Sequence, residues 1–321
     1  MRRLLLAWLA SLALYGAAFA FLLQRPLSLG TVFDEVNARV ARGASLMSPK
    51  LVIIAGSNGP YSHRCTVIAP ALGLPCVNAG VATGIGVDYL FARWKALLRA
   101  GDVVYLPMEL AQYTRGRAAN RLGPDAAIMW RQDWATLAEL PADRWLGAFF
   151  SSDLRGVLMS GVEMALAPLH AADQRAAVEG ESDAEGDHVG HTAALAAANA
   201  AALASYRRVD PSAGEIARGY GADLIAEFVR WGTAHGVRVI GGLPTEFDDV
   251  ALPPDTVAAV RAVYEANGGL FVVLPNLSRY PRAAFFDSPD HLNETWQIVH
   301  SQAVAGVLVP VVAPRSTSAA R

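Results

Sequence analysis

A serine and a histidine far apart along the chain are of the residue types that together catalyse acyl transfer. Ser57 stands in the small-residue stretch 55–59, Ala-Gly-Ser-Asn-Gly, directly after the apolar run 51–54. Near the other end of the chain, His291 follows Asp287 by four residues. A serine hydroxyl attacks efficiently when a base removes its proton and a carboxylate orients that base. The residues therefore predict Ser57 as nucleophile, His291 as general base and Asp287 as the orienting acid.

Acyl transfer also requires hydrogen-bond donors aimed at the oxyanion that forms on the substrate. The backbone N–H of Ser57 is one candidate. The N–H of Gly80 is the other, since Gly80 follows a predicted strand and glycine lets the backbone approach a substrate closely. The side chains of Asn78 and Asn58 are alternative donors. Further accessory candidates are Glu109, Tyr113 and Asp290.

Each of these residues also has a structural interpretation. Ser57 is well placed to cap the helix that follows it, which is a common role of serine at such turns. Glu109 and Tyr113 fit equally well as structural residues, and Asp290 is expected to point away from the site or to cap the last helix. The histidine partner favours the catalytic interpretation. So do the glycines of the stretch 55–59, which we expect to give a substrate access to the backbone.

The alternation of strands and helices from residue 51 onward predicts an α/β fold. Open sheets of this kind place their sites at the carboxyl ends of the strands, where Ser57 lies. The pattern is typical of a three-layer α/β/α domain with a mostly parallel, flavodoxin-like sheet of five strands. The predicted strands are 51–55, 74–78, 103–107, 237–242 and 270–274, and the predicted helices end near 72 or cover 87–99, 224–235, 256–267 and 294–308.

The N-terminal residues 1–24 predict a transmembrane anchor. Met1-Arg2-Arg3 precedes an apolar run of twenty residues that ends at Leu23, and about twenty helical residues span the hydrocarbon core of a bilayer. The two arginines favour an N-in orientation, which places the remaining chain in the periplasm on a single-pass protein of the inner membrane. A cleaved signal peptide is the alternative, because 18–20, Ala-Phe-Ala, has the form of a cleavage site.

The remaining chain divides into a linker, one large domain and a tail. Residues 25–48 are predicted to form a juxtamembrane linker with a helix at 31–42. Residues 49–310 are predicted to form the catalytic domain, and 311–321 a flexible tail. The stretch 114–213 breaks the strand–helix rhythm and is read as an insertion.

The insertion itself has two parts of different composition. Its aromatic first part predicts a helical insertion or cap. Its acidic, alanine-rich second part around 179–187 predicts a mobile, solvated surface segment. The pattern Asp187-His188-x-x-His191 could ligate a metal, but metal ligands need rigid support, so we predict no metal site there.

Composition and cysteine content restrict the possible partners. A net charge of −2 and a pI near 6.4 give no indication of nucleic-acid binding. The two cysteines, Cys65 and Cys76, could form a disulfide in an exported protein. Two small buried apolar residues are the favoured interpretation.

The residues described so far resemble the SGNH (GDSL-like) hydrolase superfamily. The resemblance lies in Ser57 of the Gly-Ser-Asn turn, Asn78-x-Gly80 after the second strand, and Asp287 with His291-Leu292-Asn293. The closer likeness is to exported, membrane-anchored members found with cell-surface polysaccharide synthesis, such as the D-alanyl-transfer protein of teichoic acids and the alginate O-acetylation proteins.

This resemblance implies an O-acyltransferase or acyl esterase, with acetyl as the expected group and a cell-surface polysaccharide as substrate. An acyl-delivering membrane protein is an expected partner, and no metal or organic cofactor is expected. A non-catalytic polysaccharide-binding or assembly component is the rival function.

The sequence departs from the superfamily pattern at two places. After the third predicted strand it has Pro107-Met108-Glu109-Leu110 in place of a Gly-x-Asn-Asp loop, and Asp287 to His291 is one residue longer than Asp-x-x-His. The α/β-hydrolase elbow Gly-x-Ser-x-Gly nearly matches 55–59. That fold places its serine after a strand in the middle of the sheet, which disfavours it here.

Overall fold

The computed structural model describes residues 1–23, 29–121, 125–150 and 181–312. Its centre is a five-stranded sheet in which every strand is parallel to its neighbours, in the order β2-β1-β3-β6-β8. Two further two-stranded pairs are β4 with β5 and β7 with β9. The strands are β1 (Leu51–Ile53), β2 (Cys76–Asn78), β3 (Val103–Leu106), β4 (Glu181–Ser182), β5 (His188–Val189), β6 (Arg238–Gly241), β7 (Glu246–Phe247), β8 (Leu270–Phe271) and β9 (Arg279–Tyr280).

Helices cover both faces of the sheet. Successive side chains of a strand point to opposite faces, and in β1 Leu51 and Ile53 belong to one apolar core whereas Val52 and Ile54 belong to the other. All four are fully buried, as expected for a parallel sheet between two helical layers. The predicted α/β fold with five strands is therefore confirmed, although the sheet is entirely rather than mostly parallel.

The helices lie close to their predicted positions. Their bounds are α1 (Arg2–Leu23), α2 (Leu29–Ser45), α3 (Asn58–Ser62), α4 (Cys65–Leu72), α5 (Val87–Lys95), α6 (Leu110–Thr114), α7 (Arg117–Arg121), α8 (Asp125–Gln132), α9 (Trp134–Glu139), α10 (Ala142–Phe149), α11 (Ala193–Ala196), α12 (Ala200–Ser205), α13 (Ala213–Ala217), α14 (Tyr220–Ala234), α15 (Pro254–Glu265) and α16 (Glu294–Val312). Residues 311 and 312 of the predicted flexible tail 311–321 belong to α16, which corrects that boundary, and the rest of the tail lies outside the described residues.

The first predicted helix is in fact two helices. His63 and Arg64 are extended between α3 and α4. The break has polar partners on both sides, because Ser301 Oγ accepts from the Arg64 N–H and the Asp187 carboxylate accepts from the Cys65 N–H. A carboxylate at the first turn satisfies a free amide and favours a new helix start.

A disulfide joins Cys65 to Cys76, which corrects the favoured interpretation of two unlinked cysteines. Cys65 begins α4 and Cys76 begins β2, and their Cα atoms lie 5.4 Å apart. That separation is typical of disulfides. Since disulfides persist in oxidising compartments, the bond agrees with an exported domain.

We expect the double variant C65A/C76A to lose about 3 kcal/mol of unfolding free energy. The crosslink joins residues with a sequence separation of 11. Its removal restores the chain entropy that a closed loop of this length takes from the unfolded state. Urea unfolding of the full chain in detergent micelles, with and without reductant, measures the loss. A double variant as stable as the oxidised wild type would show that the crosslink does not contribute to stability.

The acidic part of the insertion is packed against the domain where the structure describes it, which differs from the predicted mobile surface segment. β4 and β5 form a short hairpin whose Asp187 is fully buried. The N–H of Asn78 donates to the Glu185 carbonyl at 2.8 Å, which ties the hairpin to β2. The composition of this segment misleads because polar contacts, rather than apolar burial, hold it in place.

The N-terminal helix α1 is exposed along most of its apolar length. One helix among the described residues is long and apolar enough to cross a membrane by length and composition, and it is the C-terminal α16. α16 packs on α4, and its Val304 and Leu308 are fully buried. The role of α1 as a membrane anchor stays a prediction.

Candidate active site

Ser57 lies at the carboxyl end of β1, immediately before α3. Its hydroxyl does not cap that helix, and neither its Oγ nor its N–H has a hydrogen-bond partner among the described residues. The residue is half-buried. The hydroxyl and the amide are therefore both left for a reactant, and the structural alternative of a capping serine is not observed.

Glu109 holds the turn that carries Ser57. Its carboxylate accepts from the N–H of Gly56 and from the N–H of Asn58, each at 2.8 Å, and thus binds the amides on either side of Ser57. Thr83 Oγ1 also donates to it at 3.3 Å. Burial, aided by the nearby charge of Asp290, raises the pKa of Glu109 to about 7, although the amide hydrogen bonds act in the opposite direction. Glu109 thus has a positioning role in this turn.

The glycines around Ser57 are required by contacts within the protein. A Cβ on Gly56 would lie 2.5 Å from a carboxylate oxygen of Glu109, and one on Gly59 would lie 2.9 Å from Gly80 Cα. A Cβ on Gly80 would lie 2.7 Å from the Gly56 carbonyl. The expectation that Gly56 and Gly59 open the backbone to a substrate is therefore wrong, because protein atoms already occupy both spaces.

The two candidate asparagines are turned into the protein. Asn58 Nδ2 donates to the Pro107 carbonyl at 2.8 Å, and its Oδ1 accepts from the N–H and Oγ1 of Thr245. Asn78 Nδ2 donates to the Gly59 and His63 carbonyls and to Asp187. Both asparagines are fully buried.

The backbone N–H of Gly80 already takes part in a hydrogen bond within the protein. Its N–H contacts Asn78 Oδ1 at the longer distance of 3.2 Å. That length is at the long end of the usual range for such bonds. Of the two candidate oxyanion donors, the Ser57 N–H has no partner among the described residues, whereas the Gly80 N–H already donates to Asn78.

His291 and Asp287 form a hydrogen-bonded pair. His291 Nδ1 lies 2.6 Å from Asp287 Oδ1, and the side chains are 15% and 38% exposed. When Nδ1–H donates to the carboxylate, Nε2 is the free acceptor of a neutral imidazole. Burial acts to raise the pKa of Asp287, but the hydrogen bond and charge of His291 outweigh it and hold that pKa below its usual value.

Tyr61 links this pair to α3. Its ring stacks on His291 at 3.9 Å with an interplanar angle of 10°, and on His188 at 4.1 Å and 27°. Two rings so close and so nearly parallel must lie on opposite faces of the tyrosine. Tyr61 follows Ser57 by one helical turn, so it shares a face of α3 with Ser57. His291 therefore lies against the side chain of Tyr61, one helical turn from Ser57, and no hydrogen bond joins Ser57 Oγ to its ring.

The end of the insertion holds the loop that carries His291. Arg208 Nη1 donates to both carboxylate oxygens of Asp290, at 3.0 and 2.9 Å. Asn199 Nδ2 donates to the Phe286 carbonyl at 3.0 Å. Asp290 thus does not cap the last helix, because an arginine from the insertion binds its carboxylate. Sequence reasoning missed Arg208, since nothing in its neighbourhood along the chain indicates this partner.

Asp187 is fully buried, although the sequence predicted it in a mobile, solvated surface segment. Its carboxylate accepts from the Cys65 N–H at 2.6 Å and from Asn78 Nδ2 at 2.9 Å. Burial raises its pKa to about 7. Asp187 thereby joins the insertion to α4 and β2. No group of three or more histidine, cysteine, aspartate or glutamate side chains among the described residues is arranged to hold a metal ion.

Tyr113 lies in the apolar core and away from the histidine loop. It is fully buried, and its hydroxyl lies 2.6 Å from that of Tyr264. Tyr264 in turn donates to the Leu106 carbonyl at 3.2 Å. These contacts account for Tyr113 as a structural residue.

Comparison with protein-family models, curated proteins and solved structures gives no match for this chain. The site combines an uncapped serine, a histidine–aspartate pair that packs on Tyr61 one helical turn away, and a backbone amide without a partner among the described residues.

Proposed function

We propose that the protein is a serine-dependent O-acyltransferase or acyl esterase of the SGNH type. One observation carries the proposal: the hydrogen-bonded Asp287–His291 pair stacks on Tyr61, one helical turn from the uncapped Ser57. A structural serine would be expected to use its hydroxyl for capping.

In the proposed reaction, Ser57 Oγ attacks the acyl carbonyl carbon while His291 Nε2 takes the hydroxyl proton. The Ser57 and Gly80 N–H groups stabilise the oxyanion, and Asp287 stabilises the imidazolium. Collapse of the intermediate expels the alcohol, which receives the proton from His291. A sugar hydroxyl or water then gives its proton to His291 and attacks the acyl-enzyme, and His291 passes that proton to Ser57 Oγ as the acyl–serine bond breaks, which regenerates the hydroxyl and the neutral imidazole.

The topology supports the SGNH assignment over the α/β-hydrolase alternative. Ser57 follows β1, which is the first strand of the sheet in chain order. The spatial order β2-β1-β3-β6-β8 is that of flavodoxin-like folds. In an α/β-hydrolase the nucleophile follows a strand in the middle of the sheet, after several others. Glu109 occupies the place where SGNH enzymes carry an asparagine, so the proposed site has fewer side-chain donors for the oxyanion.

The proposed location is the periplasmic face of the inner membrane, with α1 as anchor and a cell-surface polysaccharide as substrate. The apolar exposed surface of α1 and the Cys65–Cys76 disulfide support export. An acyl-delivering membrane protein is the proposed donor partner. Mass spectrometry of the purified N-terminus tests the anchor, because a chain that begins at Phe21 would have lost it.

A non-catalytic role in polysaccharide binding or assembly is the second candidate. The observation in its favour is that Ser57 Oγ and His291 are not hydrogen-bonded, while a carboxylate occupies the amides beside Ser57. Catalytic hydrogen bonds are often long before substrate binds and tighten afterwards. For this reason the geometry favours the catalytic role.

The O-acetyl content of the cell-surface polysaccharide tests the proposal in cells. Cells that carry Ser57→Ala in place of the native residue should lose acetyl groups if the protein is a transferase, and gain them if it is an esterase. Ser205→Ala, at an exposed serine of α12, is the matched control. Acetyl content equal to wild type in the Ser57→Ala cells would contradict both forms of the proposal.

We expect Asp287→Asn to lower kcat with an activated acetyl ester by about 100-fold. The amide cannot stabilise the imidazolium, and this loss is smaller than at a buried triad acid because Asp287 is partly solvated. Asp248→Asn, at an exposed aspartate, is the control. A rate within twofold of wild type for Asp287→Asn would remove Asp287 from the mechanism.

A further inference from the structure

The first part of the insertion carries an exposed aromatic surface that the proposed reaction does not use. Its members lie on α9, on α10 and at the residue that follows α10. Trp134 is 45% exposed, Leu146 61% and Phe150 51%. Trp134 stacks edge-on against Trp130 and Trp145, at 4.3 and 5.7 Å, so the exposed rings rest on a packed aromatic base. We call Trp134, Leu146, Phe149 and Phe150 the aromatic tip.

The aromatic tip contacts the N-terminal helix. Tyr15 of α1 lies 5.5 Å from the rings of both Phe149 and Phe150. The Tyr15 hydroxyl donates to the Phe149 carbonyl at 2.6 Å. That carbonyl is in the last turn of α10, where helix carbonyls lack partners within the helix. A hydroxyl on an apolar membrane helix needs such an acceptor, since the bilayer core offers no water.

The position of Tyr15 along α1 indicates how deep in a membrane this contact would lie. Tyr15 precedes Leu23, the last residue of α1, by eight residues, which corresponds to about 12 Å of helix. Half of the hydrocarbon core is about 15 Å thick. If Leu23 marks the outer boundary, then Tyr15 and the rings that touch it lie well inside the outer leaflet.

The charges of α10 are confined to its beginning. Asp143 pairs with Arg117 at 2.8 Å, and Arg144 is buried with Asp88 and Asp125. The end of α10 is apolar, with Leu146, Phe149 and Phe150. An element with charges at one end and exposed aromatic and aliphatic side chains at the other is suited to a membrane interface.

We infer that the aromatic tip is embedded in the acyl-chain region of the outer leaflet, beside the N-terminal helix. This inference rests on the proposed role of α1 as a membrane anchor, but not on the proposed acyl transfer. The insertion would then hold the domain against the membrane at a second point. A domain fixed at two points has a defined orientation, whereas one anchored through a single helix can rotate.

Nitroxide labels on single cysteines test the inference in the full chain reconstituted in phospholipid nanodiscs. The native cysteines form a disulfide, so without reductant the label reacts with the added cysteine alone. Leu146→Cys and Phe150→Cys report on the aromatic tip, and Leu9→Cys reports on the anchor. Val209→Cys, at a residue 92% exposed, is the control for an apolar side chain in water.

We expect the labels at 146, 150 and 9 to be more accessible to oxygen than to a water-soluble nickel complex, and the label at 209 to show the reverse. Labels at 146 and 150 that behave like the label at 209, while the label at 9 reports lipid, would overturn the inference and leave the anchor intact. A label at 9 that reports water would overturn the proposed anchor and the inference with it.

Discussion

Ser57→Ala should reduce the hydrolysis of an activated acetyl ester by at least about 1,000-fold, with the fold intact. Without the hydroxyl no acyl-enzyme can form, and the remaining rate comes from binding and oxyanion stabilisation alone. The side chain is half-buried and makes no hydrogen bond among the described residues, so its removal leaves no buried polar partner behind. The kinetics of p-nitrophenyl acetate hydrolysis by the full chain in detergent micelles measure the loss.

His291→Ala should be nearly as damaging, and the double variant no worse than either single one. Residues that act as one unit show this non-additivity, whereas two independent structural residues would add their effects. Thermal unfolding followed by circular dichroism serves as the control for folding. Additive losses, or a Ser57→Ala variant as active as wild type, would contradict the proposed triad.

Glu109→Ala should lower the unfolding free energy by about 3–5 kcal/mol. The substitution leaves the buried N–H groups of Gly56 and Asn58 without acceptors and opens a small cavity. The Ser57 turn would also lose the group that fixes it. Urea unfolding measures the loss, and Glu227→Gln, at an exposed glutamate, is the control. A loss below about 1 kcal/mol would show that water replaces the carboxylate at no cost.

Glu109→Gln should change how stability depends on pH. The pKa of Glu109 is raised by burial from 4.5 to about 7 in the folded protein. The folded state therefore keeps this proton at pH values where the unfolded state has released it. Its contribution to stability is fully present below pH 4.5 and is lost as the pH rises to about 7, a loss on the order of 3 kcal/mol.

Glutamine does not titrate, so the stability advantage of wild type over Glu109→Gln should fall by about 2–3 kcal/mol as the pH rises from 5 to 8, and thus reach zero or change sign. At pH 5 the variant should be less stable by about 1–3 kcal/mol, because its Nε2 faces a backbone N–H. Asp187 and Glu246 also have pKa values raised to about 7, but they titrate in both proteins and cancel in the difference. A difference that stays constant over this range would contradict the raised pKa.

The strands of the fold were predictable because their signals are local. The apolar run at 51–54 is followed by the small residues 55–57, and a glycine or proline lies within a few residues of each of the four other strands of the sheet. Helices end at glycines such as Gly236, whose positive φ of 69° suits that residue. The disulfide was not predictable, because it depends on the distance between the start of a helix and the start of a strand.

Within the site, contacts between residues close in sequence were predictable, whereas contacts between residues far apart in sequence were not. Asp287 and His291 are four residues apart, so their contact can be anticipated from the sequence. Asp187 and Cys65 are separated by 122 residues, and Arg208 and Asp290 by 82. Contacts of that kind depend on where the insertion folds back, which no local pattern in the sequence specifies.

The sequence indicated Glu109 as a candidate site residue but did not indicate its role. It stood out because it follows the third predicted strand, where the superfamily carries a Gly-x-Asn-Asp loop, and the sequence leaves its role open between functional and structural. The sequence could not show that its two oxygens would accept the amides of Gly56 and Asn58. The glycine at 56 was a usable signal, since a carboxylate occupies the space that a Cβ would fill.

The central claim is that Ser57 is a nucleophile activated by His291, and labelling with a fluorophosphonate probe tests it most directly. The full chain in detergent micelles would be treated with the probe, digested and mapped by mass spectrometry. We predict modification at Ser57 that disappears in His291→Ala and persists in the control His235→Ala, at an exposed histidine. A folded wild-type chain that is not labelled at Ser57 would contradict the claim and favour the non-catalytic role.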